Sequence, residues 1–392
     1  MIIFVILFSI VIVVMLIDVL PILMDWLGRI HIGRYRDRNG WQSSITNQGL
    51  KWLSRTPKVK VTDNTRLIAI DLLRGNYKRQ TIQHWQEASL LLGVTEAVKG
   101  RPDAQAEQRI RAFLRTKFDA GGQWIRKPEH IDAAILSYAV MKLDFIDAEH
   151  YRPSYDYIWE LIQSHIGEDG TVLYRKSMTS YRYVDTIGFI CPFLVAYGIR
   201  YSNEACIQLA VKQIMNYERH GMLEKLYIPS HAYHAKKETP LGLYGWGRGL
   251  GWFALGLIDA WREMPEEHSL KPVLEDVVKR FGGAVIALQE SSGSWNWTVT
   301  RSESRADSSA TAALGWFLVQ ASRIAEISES CSASAEKAIA YLMRVTRRSG
   351  AVDFSQGDTK DIGVYSMLFG ILPFTQGLCI RMVSAYDKPK AV

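Results

Sequence analysis

Between the segments predicted as helices, a short pattern of glycine, any residue and then Trp, Val or Leu returns five times. It begins at Gly122, Gly170, Gly221, Gly293 and Gly350, so the successive intervals are 48, 51, 72 and 57 residues. One instance marks only a turn. Each interval, however, is about the length of a helical hairpin with its loops. The five instances together therefore predict an internal repeat of hairpins.

Twelve segments place apolar residues at helical spacing, whereas no long segment alternates apolar with polar residues as a strand would. The clearest follows Pro272, which suits a first helical turn, and carries Leu274, Val277, Phe281 and Val285. The other eleven cover residues 64–75, 81–99, 104–118, 130–143, 154–165, 184–199, 203–219, 247–263, 308–327, 333–348 and 364–386. The predicted fold class is all-α, an (α/α)6 barrel of six helical hairpins closed into a ring. An open solenoid is the alternative, although solenoid repeats are usually shorter and more regular.

The N-terminal segment is strongly apolar. Residues 1–17 contain no charged side chain, and the apolar run continues beyond Asp18 to Met24. With Asp18 near one interface the run is long enough to span a bilayer, for which about 20 residues are typical. A cleaved signal peptide would have a basic start and a small-residue cleavage site, and neither is present. We predict a transmembrane anchor over residues 1–28, a basic linker over 29–63 and the barrel domain over 64–392.

The charges that flank this segment predict its orientation. No Lys or Arg precedes the apolar run, whereas Arg29, Arg34, Arg36 and Arg38 follow it closely. The positive-inside rule then places the barrel in the cytoplasm, and a periplasmic domain is the competing interpretation. The expected localisation is a single-pass protein of the inner or plasma membrane. The lipid bilayer is the expected partner of the anchor, and the basic cluster suits anionic lipid headgroups.

Composition restricts the other partners. The net charge of +7 is modest for 392 residues and is scattered, without the basic face of a nucleic-acid-binding protein, so nucleic acid is excluded and an acidic small substrate is not. The 12 Trp and 18 Tyr suit either a sugar-binding cleft or simply a large core. The four cysteines are isolated, without metal-ligand spacing, and are expected to be buried thiols. The sequence predicts neither a metal site nor a cofactor.

Two aspartates near predicted helix starts are candidate catalytic acids. Asp185 follows Tyr183 and Val184, and its apolar neighbours would raise the pKa of a carboxyl group and suit it to general acid catalysis. The alternative is that Asp185 only caps the helix. Asp132 has similar standing near the start of another helix. If it lay close to Asp185, one of the two carboxyl groups would remain protonated.

Two further segments suggest substrate binding. Residues 231–234, His-Ala-Tyr-His, form a polar loop whose surroundings lack the other ligands of a metal site, so His234 is predicted to hydrogen-bond substrate. In residues 244–252, four glycines alternate with Trp246, Arg248 and Trp252 just before a helix. Glycine permits close approach of the backbone, and arginine offers a planar fork to a carboxylate. A flexible turn into a Trp-anchored core helix is the alternative.

In their order and separation these segments resemble the unsaturated glucuronyl and rhamnogalacturonyl hydrolases, glycoside hydrolase families 88 and 105, with family 105 the closer match. Tyr183-Val184-Asp185-Thr186 resembles the segment that carries the family's catalytic aspartate, and Tyr233-His234 resembles its Tyr-His loop. Trp246, Arg248 and Trp252 match its Trp-x-Arg-x-x-x-Trp motif without gaps, and Asp132 corresponds to its second carboxylate. The resemblance covers roughly residues 64–387.

The resemblance implies an (α/α)6 barrel and hydration of a vinyl ether in a terminal 4,5-unsaturated uronic acid. Asp185 would donate a proton to C4 and then assist addition of water at C5, and no metal would be required. Arg248 would pair with the uronate carboxylate or a polar group, Trp246 and Trp252 would stack on sugar rings, and His234 would hold a hydroxyl group or the water. Tyr183 would contribute to the same substrate-binding site.

The sequence departs from the family beside the catalytic aspartate, at Val184 and Thr186, and again at residues 235–237. Two other functions therefore remain open. One is a catalytically inactive glycan-binding or scaffold module of a membrane polysaccharide system, which the anchor favours. The other is a different helical-barrel sugar enzyme, an epimerase or a lyase, although an epimerase would be expected to carry more paired His and Glu residues.

Overall fold

The computed structural model describes residues 1–57, 63–74, 84–99 and 103–387, with the side chain of residue 72 excepted. These residues contain fourteen α-helices and seven short strands. The helices are α1 Ile2–Arg29, α2 Arg38–Ser54, α3 Ile68–Leu73, α4 His84–Val98, α5 Ala104–Lys117, α6 Ala133–Met141, α7 Arg152–Gln163, α8 Asp185–Arg200, α9 Glu204–Gly221, α10 Gly247–Glu263, α11 Lys271–Ala287, α12 Ser308–Ala321, α13 Ser328–Arg344 and α14 Pro373–Tyr386. The strands are β1 Tyr181–Tyr183, β2 Met222–Leu223, β3 Ile228–Pro229, β4 Ala232–His234, β5 Thr239–Leu241, β6 Ser355–Gln356 and β7 Phe369–Gly370.

Six of the helices form a closed inner ring. In order around the ring they are α4, α6, α8, α10, α12 and α14, and α14 packs back against α4. The outer layer consists of α2, α5, α7, α9, α11 and α13. The inner helices are buried on almost every side, whereas an outer helix such as α7 is apolar on one face only. The predicted all-α class and (α/α)6 barrel are confirmed.

The twelfth barrel helix is not the one that the sequence predicted. The segment expected to be a linker contains α2, which packs on α4 and α14 and buries Trp41, Ile45 and Trp52. The indole of Trp41 donates a hydrogen bond of 2.9 Å to the Thr346 hydroxyl. The basic residues that suggested a linker mostly precede this helix, and its apolar stripe is that of a barrel helix. The segment predicted as a helix over 64–75 is described only to residue 74, where it contains the short α3.

The repeated glycine turns lie between an outer helix and the following inner helix. Gly122, Gly170, Gly293 and Gly350 follow α5, α7, α11 and α13 and have positive φ angles between 71° and 89°. A side chain at Gly122 would also overlap the backbone carbonyl of His150. Gly221 differs, because it is the last residue of α9. The turns lie at the end of the barrel where the inner helices begin.

A small antiparallel sheet orders two of the segments at this end. Strand β4 lies between β1 and β5, with Tyr183 opposite Ala232. Directly beyond that pair, the Val184 amide donates to the carbonyl of His231 at 3.0 Å. Because α8 starts at the next residue, the sheet brings the first turn of α8 beside His231.

Helix α1 lies outside the ring and has the length and apolar composition of a membrane span or a signal sequence. Its C-terminal half contacts the barrel through charged residues. The Arg29 guanidinium donates to both carboxylate oxygens of Asp353, at 2.8 and 3.1 Å, and Asp25 pairs with Arg347 at 2.8 Å. The predicted helix over 364–386 begins only at Pro373, and the residues before it form β7 and a loop beside α1.

Candidate active site

A cavity of about 90 Å³ lies at the end of the barrel where the inner helices begin. Three inner helices contribute side chains from their first turns, and the loop between α13 and α14 covers one side. The lining residues are Trp85, Tyr174, Met178, Tyr183, Asp185, Phe189, His231, Trp246, Arg248, Trp252 and residues 358–361. The N-terminal ends of helices carry partial positive charge, so this end of the barrel favours an anion.

Asp185, the first residue of α8, is mostly buried, with 14% of its side chain exposed. Burial raises the pKa of its carboxyl group to about 7, and the charge of Arg248 opposes that rise only in part. Its Oδ2 atom accepts no hydrogen bond within the part of the chain that the structure describes. The carboxyl group is therefore half protonated near neutral pH, as a general acid requires.

His231 faces Asp185. Its Nε2 atom lies 3.8 Å from the Asp185 Oδ2, and its buried Nδ1 atom has no partner among the described residues. Burial, together with the smaller effect of the nearby Arg248 charge, lowers the pKa of the imidazole to about 4. The ring is therefore neutral at physiological pH, with polar atoms free for a hydroxyl group or water.

Arg248 lies in the first turn of α10 and is buried. It donates to the carbonyls of Gln356 and Gly357, both at 2.6 Å, and to the Thr359 hydroxyl at 3.3 Å. Two of its five N–H groups remain without a partner, and no carboxylate in the described ranges lies within ion-pair distance. A buried cation without a counter-ion favours an anionic ligand.

Both tryptophans of the motif line the cavity, and both are also held by the core. The Trp246 indole donates to the Gln356 side chain at 2.9 Å, and its ring lies 4.6 Å from that of His231. The Trp252 ring packs edge-on against Trp85 at 5.4 Å. Only part of each ring is therefore available to a sugar.

Close packing of α8 on α10 sets the relative positions of Asp185 and Arg248. A Cβ atom on Gly188 would lie 2.5 Å from the Trp252 ring and 2.9 Å from its carbonyl oxygen. A Cβ atom on Gly256 would overlap the Ile187 carbonyl. Glycine at these two positions lets the helix backbones approach.

The remaining predicted site residues are divided between the cavity and its surroundings. Tyr183 lines the cavity, with its ring 4.8 Å from that of Tyr174. Asp132 is buried at the start of α6 without capping the helix; it does not line the cavity, although its charge acts on Tyr174. His234 lies outside the cavity, where its Nδ1 accepts from the Lys237 amide at 3.2 Å.

The difference between the two histidines follows from the strand. His231 lies just before β4, where its carbonyl accepts from the Val184 amide beside the start of α8, whereas His234 is the last residue of β4. A strand of three residues carries too little periodicity to be recognised in a sequence. The sequence analysis also did not predict several lining residues: Trp85, Tyr174, Met178 and residues 358–361. Of these, only residues 358–361 had a recognisable signal in the sequence, the polar run at 356–361.

Neither metal nor thiol chemistry has an evident place in the described part of the chain. No group of three or more His, Cys, Asp or Glu side chains there could hold a metal ion. The four cysteines are buried in the core. The cavity therefore offers the carboxyl group of Asp185, the neutral imidazole of His231 and the guanidinium group of Arg248, with Asp358, Lys360 and Asp361 on the loop that covers one side.

Comparison with known proteins identifies the family. The model of Glycosyl Hydrolase Family 88 matches residues 59–365, which is most of the chain. The chain belongs to this family. Among curated proteins, none matches it in sequence.

Solved structures share the fold of this family 88 chain. A family 105 glycoside hydrolase of C. acetobutylicum is 17% identical with a TM-score of 0.69, over 82% of this chain and 98% of that one. A possible family 105 member from Salmonella enterica is 14% identical with a TM-score of 0.75, over 90% and 95%. The unsaturated glucuronyl hydrolase of Bacillus sp. GL1 is 15% identical with a TM-score of 0.64, over 87% and 93%. At these identities the likeness shows the fold alone.

Proposed function

We propose that this glycosidase removes a terminal 4,5-unsaturated uronic acid from an oligosaccharide by hydrating its vinyl ether. The observation that carries the proposal is the pairing of Asp185, whose pKa is raised to about 7, with Arg248, a buried cation without a carboxylate partner in the described residues. A protonated carboxyl group and an unpaired guanidinium suit a substrate that is both an anion and a base. The family and its neighbours in structure support the same class of reaction.

In the proposed reaction Asp185 transfers its proton to C4, and the positive charge that develops at C5 is shared with the ring oxygen. Water then adds to C5 while the Asp185 carboxylate accepts a proton from it, so the residue ends as it began. The resulting hemiketal opens and releases the neighbouring sugar. The unpartnered atoms of His231 are suited to hold this water, because Nε2 lies 3.8 Å from the acid.

The substrate carboxylate is proposed to bind the two free N–H groups of Arg248. Such a charge-assisted contact would supply the counter-ion that the described residues lack. Trp246 and Trp252 are almost fully buried, and they are proposed to contact a sugar ring only through the small part of each indole that lines the cavity. Asp132 is proposed as a second carboxylate that acts on the cavity from the neighbouring helix α6.

The direct test is incubation of the full chain with unsaturated uronyl disaccharides, followed by loss of absorbance from the conjugated double bond. Turnover of at least one such disaccharide is expected, and a saturated disaccharide with the same linkage is the control. Binding of the unsaturated disaccharide without consumption of its double bond would instead support an inactive glycan-binding module.

We also propose that α1 anchors the enzyme in the membrane and that the barrel faces the cytoplasm. The apolar composition of α1 and the arginines that follow it support this orientation. Reporter fusions at the C-terminus test it. Green fluorescence without alkaline phosphatase activity is expected, and the reverse result would place the barrel on the other side.

A further inference from the structure

The part of α1 that is free of the barrel is short for a bilayer. Asp18 is the first residue along the helix with a hydrogen bond to the barrel domain, so the free part is Ile2–Ile17. Sixteen residues of α-helix rise about 24 Å, whereas the hydrocarbon core of a bilayer is about 30 Å thick. If α1 spans the membrane, the barrel surface beside Asp18 must therefore lie at the lipid interface.

That surface carries an exposed apolar face. On the segment that begins α3, Leu67, Ile70 and Leu73 are 55%, 41% and 89% exposed. Ile70 and Leu73 are three residues apart on one side of the helix, and Leu67 lies just before its first turn, whereas Ile68 and Asp71 are buried. We call the three residues the α3 face. On the neighbouring loop, Met367 is 63% exposed.

Exposed cations flank this face. Arg66 precedes the helix and Arg74 follows it, and both are exposed. An apolar face bordered by arginines is the pattern of a short helix lying in a membrane interface, where the arginines contact anionic headgroups. It is not the pattern of a face that packs in a protein core.

Hydrogen bonds connect the α3 face to the anchor. The Asp18 carboxylate accepts from the backbone amides of Leu67 and Ile68 at 2.6 and 2.8 Å. This contact accounts for Asp18, the one charged residue of α1 before Asp25, because its carboxylate satisfies the first amides of α3. The α3 face is thus fixed beside the point where α1 leaves the barrel.

The same region is connected to the catalytic cavity. The Asp63 carboxylate accepts from the Ser366 hydroxyl at 2.7 Å and from the Met367 amide at 3.2 Å. It also lies 3.8 Å from the Nζ atom of Lys360, which lines the cavity. Asp63 thus connects the cavity wall at Lys360, through an ion pair, to Met367 beside the α3 face, through a hydrogen bond.

We propose that the α3 face and Met367 contact the lipid bilayer, so that the catalytic cavity lies at the membrane surface and acts on an acidic glycan linked to a lipid. The proposed membrane contact rests on the short free part of α1 and on the exposed apolar α3 face. The substrate class rests on the proposed glycosidase function. A glycan held at the headgroup level would reach the cavity without leaving the membrane.

The membrane contact is tested by fluorescence quenching, which requires no activity. Full-length Leu73→Cys and Met367→Cys variants are labelled with an environment-sensitive fluorophore; the four native cysteines are buried and will not react. Each is reconstituted in phosphatidylcholine vesicles containing some phosphatidylglycerol and a nitroxide-labelled lipid. The control is Val273→Cys, an exposed apolar position at the start of α11, at the opposite end of the barrel.

Quenching at least about twofold stronger at Leu73 and Met367 than at Val273 is expected, since nitroxide quenching acts only at close range. Equal quenching at the three positions would overturn the membrane contact. A label at Leu73 that is already shielded from water before lipid is added would also overturn the membrane contact, because a second copy of the chain would then cover the α3 face.

The substrate class is tested with Leu73→Glu. We expect its turnover of an unsaturated uronyl disaccharide linked to a lipid in vesicles to fall at least about tenfold, while turnover of the soluble disaccharide is unchanged. Equal turnover of the lipid-linked form by both proteins would overturn the lipid-linked substrate. Inactivity of the wild type on both forms would overturn the glycosidase proposal and leave the quenching result standing.

Discussion

The Nε2 atom of His231 lies 3.8 Å from the Oδ2 atom of Asp185, a distance too long for a hydrogen bond, and that Oδ2 has no other partner in the described residues. Burial moves the two pKa values in opposite directions, to about 4 for the histidine and about 7 for the aspartate. Between these values both groups are predominantly neutral. The pair is thus a proton donor beside an uncharged hydrogen-bonding group.

The two histidines of the 231–234 segment provide a matched test of the site. His231→Asn removes the imidazole that faces Asp185. We expect turnover to fall at least about tenfold, which is the scale of one lost hydrogen bond in a buried site. His234→Asn changes a side chain outside the cavity, and we expect less than about a threefold effect. Steady-state rates on an unsaturated disaccharide decide between them, and a larger loss in the His234 variant would contradict our placement of the site.

Replacement of Asp185 by Asn keeps the size of the side chain and removes the transferable proton. General acid–base groups contribute about 10²–10⁴-fold in rate, so we expect a loss of that order. Double-bond consumption is measured beside a thermal melt. Asp144→Asn, at an exposed aspartate, is the control and should retain the wild-type rate. A folded Asp185→Asn enzyme with normal turnover would remove this residue from the mechanism.

The raised pKa of Asp185 also predicts how the free energy of unfolding depends on pH. The folded protein holds this proton up to about pH 7, whereas the unfolded chain releases it near pH 3.8, the ordinary pKa of an aspartate. Between these values the folded state binds more protons, so this group makes stability fall as pH rises from about 4 to about 7. Asp185→Asn should show a flatter dependence of the unfolding free energy over that window. Denaturant titrations at pH 4.5 and about pH 7.5 measure it, and parallel pH dependences for the two proteins would contradict the raised pKa.

Arg248→Lys separates charge from geometry. Lysine keeps the positive charge but cannot donate to both loop carbonyls and a carboxylate at once. Loss of a charged hydrogen bond costs about 1.5–3 kcal/mol, so we expect kcat/KM to fall about 10- to 100-fold. Arg301→Lys, at a side chain that is 71% exposed, is the control. Wild-type kinetics in Arg248→Lys would show that only the charge is used.

Two glycine substitutions test the close packing of α8 on α10. Gly188→Ala places a methyl group against the ring and the backbone of Trp252, and we expect a loss of about 1–3 kcal/mol in the free energy of unfolding. Gly283→Ala lies in α11, where a Cβ atom meets nothing within 4 Å, so a gain of about 0.5–1 kcal/mol is expected. Urea unfolding of both variants provides the comparison. Opposite signs are the expected result, and equal effects would contradict the packing described for Gly188.

Much of the barrel could be predicted from the sequence. Its inner helices are buried on nearly all sides, so they appear in the sequence as long apolar segments. Helix α2 was missed because the arginines before it suggested a linker. In the cavity, Tyr183, Asp185 and the Trp246–Trp252 motif lie in short segments at or just before the starts of α8 and α10, which a local pattern can mark. Residues 358–361 come from a loop more than 170 positions beyond Asp185. That loop lies over Asp185 only because the ring of helices closes, and no local sequence pattern predicts that closure.

Closure of the ring by α14 also bears on how the protein is made. The final barrel helix, Pro373–Tyr386, packs on α2 and α4, the first two barrel helices to leave the ribosome. Until it emerges, α4 lacks the neighbour that covers its buried surface, and so does α12 on the other side of the gap. The nascent chain therefore exposes α4 through most of its synthesis, and α12 from the time it is made until α14 is complete. A ribosome that stalls before residue 373 would leave an open barrel, a natural target for chaperones and proteases.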